Sequence, residues 1–215
     1  PFINDKSTAG QDLLNLFFIT FNKYVGKSDK NQAFTPDHIT DFMAKICNVN
    51  KNSVVLDMAC GSGSFLVRAM TQALADCHTQ AEEDEVKKNH IYGVEYDELV
   101  YGLATTNMLI HSDGNSNIVQ GSCFNEVPRF IKDGVKFNVV LMNPPYNAMA
   151  KQMPKKYSET WGKSKQDPSK GLYFVKFILD QMNANDMQGK LAVLLPMACA
   201  IGNSTLMKQM KNAIL

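Results

Sequence analysis

The sequence predicts an α/β fold in which a doubly wound, mostly parallel sheet carries helices on both faces. Five short apolar runs rich in Val, Ile and Leu have the composition of strands that are buried on both faces. Stretches with helical spacing alternate with these runs, and that alternation favours a parallel sheet. Turn residues follow most of the runs, so polar side chains collect at the carboxyl ends of the strands, where such sheets hold ligands.

The overall composition excludes several classes of protein. The 215 residues suffice for one domain or a large part of one, and a net charge of +1 means that any nucleic-acid surface must be local. Five cysteines without Cys-x-x-Cys spacing predict reduced thiols in a cytoplasmic protein, and four scattered histidines predict no metal site. We expect neither a membrane span nor a signal peptide, because no run of about 18 apolar residues is present. The first residue, Pro1, indicates a fragment.

Two helices are predicted ahead of the first strand. Residues 10–25 are apolar with mixed helical spacing, which predicts an N-terminal helical segment within residues 1–33. The main domain would then span residues 34–215. Thr35 is a predicted N-cap with Pro36 at the first helical position, a pair that favours the start of the second helix. That helix is expected to turn four apolar side chains inward: Ile39, Phe42, Met43 and Ile46.

The first strand, residues 53–59, runs into a Cys-Gly-Ser-Gly-Ser turn and then a helix. Gly61 and Gly63 would let the backbone approach a ligand at the helix N-terminus. The dinucleotide fingerprint needs a third glycine where this chain has Leu66, so a pyrophosphate is not expected. Asp57 would favour a cationic ligand instead, although a tight turn without any ligand fits the same pattern.

The next part of the chain places acidic residues after the second strand. Residues 82–88 carry alternating blocks of charge and are predicted to form a solvated surface loop. The second strand, residues 90–94, ends at Glu95, where an acid commonly holds a ribose diol by two hydrogen bonds. The alternative is that Glu95 or Asp97 only caps the helix that follows. A third strand is predicted at residues 117–120.

The fourth strand, residues 136–142, ends at an unusual loop. Asn143, Pro144, Pro145 and Tyr146 follow it directly. Two consecutive prolines cannot continue a strand, because each fixes φ and lacks an N–H donor. An amide side chain, a constrained backbone carbonyl and an aromatic ring are therefore expected at the same edge as the glycine turn. A proline-rich loop without a function is the alternative.

A polar, irregular segment follows at residues 148–170. It combines lysines with Tyr157 and Trp161, a mixture that suits phosphate contacts and base stacking, although a mobile solvated loop fits equally well. The lysines are Lys151, Lys155, Lys156, Lys163, Lys165 and Lys170.

The remaining predicted elements complete the alternation of strands and helices. They are a fifth strand at residues 189–195, helices at residues 65–76, 99–111, 171–185 and 204–215, and a turn at residues 113–116. Residues able to hold a ligand then lie at the ends of the first four strands, which form one mouth.

Together these motifs resemble the amino-methylating DNA methyltransferases that use S-adenosylmethionine, and specifically the modification subunits of type I restriction systems. Residues 57–66 resemble the cofactor loop of that family, and residues 143–146 its catalytic motif. Residues 34–36 match a cofactor-contacting segment, and residues 191–196 resemble a later strand. The resemblance covers residues 11–203, and it implies a Rossmann-like methyltransferase domain over residues 34–215 that is truncated after its fifth strand.

The resemblance also implies a reaction, partners and a set of site residues. Methyl transfer from S-adenosylmethionine to the N6 amino group of a flipped adenine in DNA is expected, with a specificity subunit and a second modification subunit as partners and without a metal. The implied catalytic residues are Asn143, Pro144, Pro145 and Tyr146. The implied cofactor-binding residues are Thr35, Pro36, Asp57, Ala59, Cys60, Gly61, Ser62, Gly63, Glu95, Tyr96, Ser122, Cys123 and Asn143.

Two departures from the family pattern leave alternatives open. The family commonly has Gly-Asp after its third strand, where this chain has Gly121 and Ser122. The family sheet normally has seven strands, and a five-stranded sheet would leave an open edge. A protein-glutamine methyltransferase, an RNA adenine methyltransferase and a non-catalytic scaffold with the same fold are the competing interpretations.

Overall fold

Parallel strands at the centre of the molecule form the predicted sheet. The computed structural model describes residues 35–111 and 117–215, so the predicted segment 1–33 and the turn at 113–116 lie outside the described residues. The strands pair in the order β3-β2-β1-β4-β5, and every pairing is parallel, which confirms the predicted fold class. They are β1 (Val55–Asp57), β2 (Ile91–Glu95), β3 (Asn117–Gln120), β4 (Val139–Met142) and β5 (Lys190–Val193).

Helices connect these strands, and the four predicted after β1 are confirmed to within one or two residues. In chain order the helices of the described residues are α1 (Asp37–Ile46), α2 (Ser64–Leu74), α3 (Gln80–Asn89), α4 (Glu98–Ile110), α5 (Cys123–Lys132), α6 (Lys155–Ser158), α7 (Leu172–Ala184), α8 (Ala198–Ile201) and α9 (Thr205–Ile214). None of them is both long enough and apolar enough to cross a membrane.

Alternating side chains of the strands build a separate core on each face of the sheet. Leu56 and Val140 pack among aromatic residues of α5 and α7, whereas Val55 and Leu141 pack against α1, α2 and α4. All four side chains are fully buried. Because successive side chains of a strand point to opposite faces, a strand covered on both faces reads as a continuous apolar run, and this explains why the strands were predictable.

The order of the strands reverses between β1 and β4. From β1 the chain moves outward through β2 to β3 on one side, and then returns to β4 and β5 on the other. The connections leaving β1 and β4 therefore diverge to opposite faces and open a crevice at their carboxyl ends, which is where open α/β sheets bind ligands. At the amino ends the same two strands are joined by Asn138, whose Oδ1 accepts a hydrogen bond from the Val54 N–H at 2.8 Å.

Two predictions about surface elements are wrong. Residues 82–88 belong to α3, because Thr79 and Glu82 form a capping box that starts a helix with acidic residues in its first turn and lysines in its last. In α1 the inward face is narrower than expected: Thr40, Met43 and Ala44 are buried. Phe42 and Ile46 were expected inside and are instead 59% and 57% exposed.

Candidate active site

A cavity of about 560 Å³ opens at the carboxyl ends of the central strands. Its wall combines the turns that follow β1, β2, β3 and β4, so the predicted single mouth is present. The predicted site residues that line it are Thr35, Asp57, Ala59, Cys60, Gly61, Ser62, Glu95, Tyr96, Ser122, Cys123, Asn143, Pro144, Pro145 and Tyr146. Pro36 and Gly63 do not line it.

The glycine turn after β1 holds its shape through backbone conformations that favour glycine. Gly61 and Gly63 have φ of +56° and +82°. The Cys60 N–H donates to the Val94 carbonyl at 3.0 Å, and the Gly63 N–H donates to the Cys60 carbonyl at 2.8 Å. A Cβ atom built on Gly61 would meet no atom of residues 35–111 or 117–215 within 4 Å. Gly61 thus borders open space in the cavity, while Gly63 is buried behind it at the start of α2.

Asp57, at the end of β1, is a buried carboxylate with one unsatisfied oxygen. Its Oδ1 accepts a hydrogen bond from the Ala59 N–H at 3.1 Å, whereas its Oδ2 has no hydrogen-bond partner among the described residues. Burial, together with the negative charge of Glu95, raises the pKa of Asp57 to about 8, and the hydrogen bond from the Ala59 N–H opposes that rise. A buried acceptor that lines a cavity without a partner fits a ligand with a donor or a positive charge.

Glu95, at the end of β2, joins two turns of the cavity wall. Its Oε2 accepts from the Gly61 N–H at 2.9 Å and its Oε1 from the Asp97 N–H at 2.8 Å. Burial raises the pKa of Glu95, and these hydrogen bonds oppose that rise. Asp97 is the N-cap of α4, because its side chain accepts hydrogen bonds from the N–H groups of Leu99 and Val100. The predicted capping role therefore applies to Asp97. Glu95 lines the cavity and also fixes the glycine turn.

The amide of Asn143 is held at both of its ends. Its Nδ2 donates to the Thr35 hydroxyl at 2.9 Å, and its Oδ1 accepts from the Tyr146 hydroxyl at 2.7 Å. The Tyr146 hydroxyl also lies 3.2 Å from the Leu194 carbonyl oxygen.

The prediction that Thr35 is the N-cap of α1 is wrong, because Pro36 occupies the N-cap position.

A turn that was not predicted supports the proline loop from behind. The buried Asp167 carboxylate accepts hydrogen bonds from the Ser169 N–H, the Ser169 hydroxyl and the Gly171 N–H. Gly171 has φ of +101°, and a Cβ atom there would lie 3.1 Å from Cγ of Pro144. The Asp-Pro-Ser-Lys-Gly sequence is typical of a turn, but its contact with Pro144 has no local signal in the sequence.

Comparison with known proteins assigns the family. The N-6 DNA Methylase family matches residues 11–214, nearly the whole chain. The chain belongs to this family. One relative, the type II restriction enzyme and methyltransferase RM.BcgI of Heyndrickxia coagulans, is 33% identical over 213 residues, which are 98% of this chain and 31% of that protein. The EcoEI methylase subunit of Escherichia coli, from a type I restriction enzyme, is 31% identical over 53% of this chain and 23% of its own length.

Solved structures share the fold of this N-6 DNA methylase chain. The type I restriction-modification methyltransferase subunit of Streptococcus thermophilus has a TM-score of 0.62 at 20% identity, covering 99% of this chain and 44% of that one. The type I restriction enzyme EcoKI M protein has a TM-score of 0.60 at 19% identity, covering 95% and 45%. The chain spans less than half the length of these structures and less than a third of the two curated relatives described above.

The basic segment of this family member is more ordered than the sequence predicts. Residues 148–170 contain α6 and two 3₁₀ turns, Ala150–Gln152 and Glu159–Trp161. Tyr157 and Trp161 are only 7% and 6% exposed, so their predicted availability for base stacking is wrong. Both aromatic rings pack near Tyr173 of α7 and anchor the segment to the core. The lysines remain at or near the surface, and Lys151 lines the cavity.

Among residues 35–111 and 117–215, no cluster of three or more His, Cys, Asp or Glu side chains could hold a metal ion. All five cysteines lie in this part of the chain and are free thiols. Burial raises the pKa of the Cys60 and Cys123 thiols, which line the cavity and are therefore expected in their neutral form.

Proposed function

We propose that this chain binds S-adenosylmethionine and transfers its methyl group to the N6 amino group of adenine in DNA. The observation that carries the proposal is the meeting of Asp57 and Asn143 in one cavity, at the ends of the adjacent strands β1 and β4. Asp57 supplies a buried acceptor for a cation, and Asn143 supplies an amide that can bind the amine of a base. Membership of the N-6 DNA methylase family supports this reaction over the protein-glutamine alternative.

The cavity wall fits the cofactor through charge and shape. Asp57 Oδ2 is a buried acceptor that has no partner in the described part of the chain, and Glu95 adds a second carboxylate on the neighbouring strand. Open space beside Gly61 leaves room for a ligand to lie against the backbone. When bound, S-adenosylmethionine supplies a methyl group activated by a positively charged sulfur. Ser122, in the place of the usual family acid, also lines the cavity and offers a hydroxyl.

Asn143 and Pro144 would activate the amine by positioning it. The exocyclic nitrogen of adenine is a poor nucleophile because its lone pair is delocalised into the ring. Acceptance of its two hydrogens by Asn143 Oδ1 and the Pro144 carbonyl would direct that lone pair at the methyl group, and the proton can leave after transfer. The half-buried ring of Tyr146 would stack on a base that has been flipped out of the duplex.

The larger assembly is proposed from the relatives. The relatives' descriptions name restriction enzymes and, for the Streptococcus thermophilus subunit, a restriction-modification system, so we propose a specificity subunit, a second modification subunit and DNA as partners. We further propose that residues 34–215 form part of the catalytic domain. The five free thiols support a location in the cytoplasm.

Nucleoside analysis tests the proposal. The chain, alone and reconstituted with the other subunits of its system, is incubated with isotope-labelled S-adenosylmethionine and unmethylated DNA, and the digested nucleosides are analysed by mass spectrometry. We expect the label in N6-methyldeoxyadenosine. Label in RNA or on a glutamine side chain in parallel reactions would support those alternatives, and absence of both label and cofactor binding would support a scaffold.

A further inference from the structure

The proposed reaction requires the Asn143 amide to face the base with its oxygen. The oxygen accepts a hydrogen from an amine, whereas the NH₂ end can only donate. A reversed amide would donate to the adenine nitrogen and occupy the lone pair that must attack the methyl group. The two ends of an amide are nearly equal in size, so packing alone does not choose between them. Hydrogen bonds to other residues must make the choice.

The hydrogen bonds around Asn143 favour the productive orientation. The single proton of the Tyr146 hydroxyl lies between two acceptors, Asn143 Oδ1 at 2.7 Å and the Leu194 carbonyl oxygen at 3.2 Å, and the shorter distance assigns it to Oδ1. The opposite end of the amide, Nδ2, then donates to the Thr35 hydroxyl at 2.9 Å. A carbonyl oxygen has two lone pairs, so Oδ1 retains one for an amine after Tyr146 has bound the other. Thr35 is buried, which shields its bond to Asn143 from competition by water.

Thr35 reaches this position through the fold and not through the local sequence. It lies 108 positions before Asn143 and is separated from α1 by Pro36 alone. Helix α1 packs on α2 through Met43 and Ala44, and α2 begins at the glycine turn of the cavity. The same packing that builds the cofactor side of the cavity therefore brings a hydroxyl to the amide.

We propose that Thr35 is a positioning residue that sets the orientation of the Asn143 amide, with the Tyr146 hydroxyl holding the other end. The proposal rests on the proposed methyl transfer for its kinetic consequence. It assigns the Thr35 side chain this task in place of the cofactor contact implied by the resemblance. It also gives the Tyr146 hydroxyl a task that is separate from stacking by its ring.

Substitutions at Thr35 separate the hydroxyl from the shape of the side chain. Thr35→Val keeps the shape and removes the acceptor, and Thr35→Ser keeps the acceptor. In single-turnover assays we expect Thr35→Val to slow methyl transfer by about 10-fold, with cofactor affinity changed by less than about twofold, and Thr35→Ser to restore transfer. Tyr146→Phe, which keeps the ring, is expected to slow transfer by a similar factor.

Thr40→Val provides the matched control for loss of a buried threonine hydroxyl. Thr40 lies in α1, is buried like Thr35 and donates to the Asp37 carbonyl oxygen at 2.9 Å, without a bond to Asn143. Its substitution should lower stability at least as much as Thr35→Val, while methyl transfer stays at the wild-type rate once the protein is folded.

A nuclear magnetic resonance measurement tests the orientation without any need for activity. In the ¹⁵N-labelled chain, one side-chain NH₂ proton of Asn143 should exchange slowly with solvent, and Thr35→Val should abolish that protection while Thr35→Ser retains it. Unchanged protection in Thr35→Val, or a loss of transfer fully matched by a loss of cofactor affinity, would overturn the proposal. If the wild-type protein methylates nothing, the proposed function fails while the protection result still decides the orientation.

Discussion

Asp57 illustrates at the residue scale how an unsatisfied group indicates a ligand. It is 1% exposed, one of its oxygens has no partner among the described residues, and burial raises its pKa to about 8. Below about pH 8 the Asp57 side chain of the folded chain without cofactor stays protonated. In the unfolded chain the same side chain has a pKa of 3.8 and loses its proton above that pH. The stabilising contribution of Asp57 to the free energy of unfolding is therefore fully present below pH 3.8 and is lost as the pH rises towards 8.

The first prediction concerns proton release on cofactor binding. A cation beside Asp57 stabilises the carboxylate and lowers its pKa, so binding should expel the proton below pH 8. We expect the affinity for S-adenosylmethionine to rise from pH 6 to about pH 8 and then level off. Calorimetry in two buffers with different ionisation enthalpies would detect the released proton. Asp57→Asn should abolish this proton release, and an unchanged release in that variant would assign it to another group.

At the scale of elements, the turn from Asp167 to Gly171 connects α7 to the proline loop. Three hydrogen bonds to the Asp167 carboxylate fix the turn, and Gly171 lies against Pro144. Burial raises the pKa of Asp167, and the hydrogen bonds oppose that rise. The backbone carbonyl proposed to accept an amine hydrogen therefore belongs to a residue that is packed from behind.

Gly171→Ala provides the second prediction. The positive φ should cost about 1–3 kcal/mol of stability, and the new methyl group should displace Pro144 and slow methyl transfer. Gly134→Ala is the control, because Gly134 has φ of +93° and none of the residues that the structure describes lies within 4 Å of its Cβ position. Chemical denaturation should show comparable losses for both variants, whereas only Gly171→Ala should lose transfer. Equal transfer in both variants would remove the turn from the proposed mechanism.

The sequence predicts elements well where one local signal dominates. The strands β1, β2 and β4 are buried on both faces, so their apolar runs are unambiguous, and the glycine and proline turns mark where β1 and β4 end. Helix α3 was missed because its charges resemble a solvated loop, although Glu and Lys are good helix formers and Thr79 with Glu82 carries a capping signature. The exposure of Phe42 and the burial of Trp161 depend on neighbours distant in sequence.

For the whole molecule, the order of motifs along the chain predicts which residues share the cavity. Parallel strands place all their carboxyl ends at one edge, so residues after β1, β2, β3 and β4 had to meet. The sequence could not predict the hydrogen bond between Thr35 and Asn143 or the contact of Gly171 with Pro144. Those contacts depend on how α1 and α7 pack, and no local pattern encodes them.

The third prediction concerns the surface beside the cavity. Lys163 and Lys165 are exposed on the basic segment, which contributes Lys151 to the cavity wall. If this surface follows the DNA backbone, replacing both with Gln should weaken binding and reduce the slope of log affinity against log salt by about two. Replacing Lys132 and Lys136, which precede β4 at the opposite edge of the sheet, changes the charge equally and should leave the slope unchanged. If both double substitutions weaken DNA binding equally, the loss of net charge explains the effect, and the surface beside the cavity has no specific role in DNA binding.

The proposed reaction depends on the Asn143 amide, and one substitution tests it most directly. Asn143→Ala is measured for cofactor affinity by calorimetry and for methyl transfer to adenine in a single turnover, in the same assembly as the wild type. We predict an affinity for S-adenosylmethionine within about twofold of the wild type and a loss of transfer of about 100-fold or more. Methyl transfer at the wild-type rate in this variant would contradict the account.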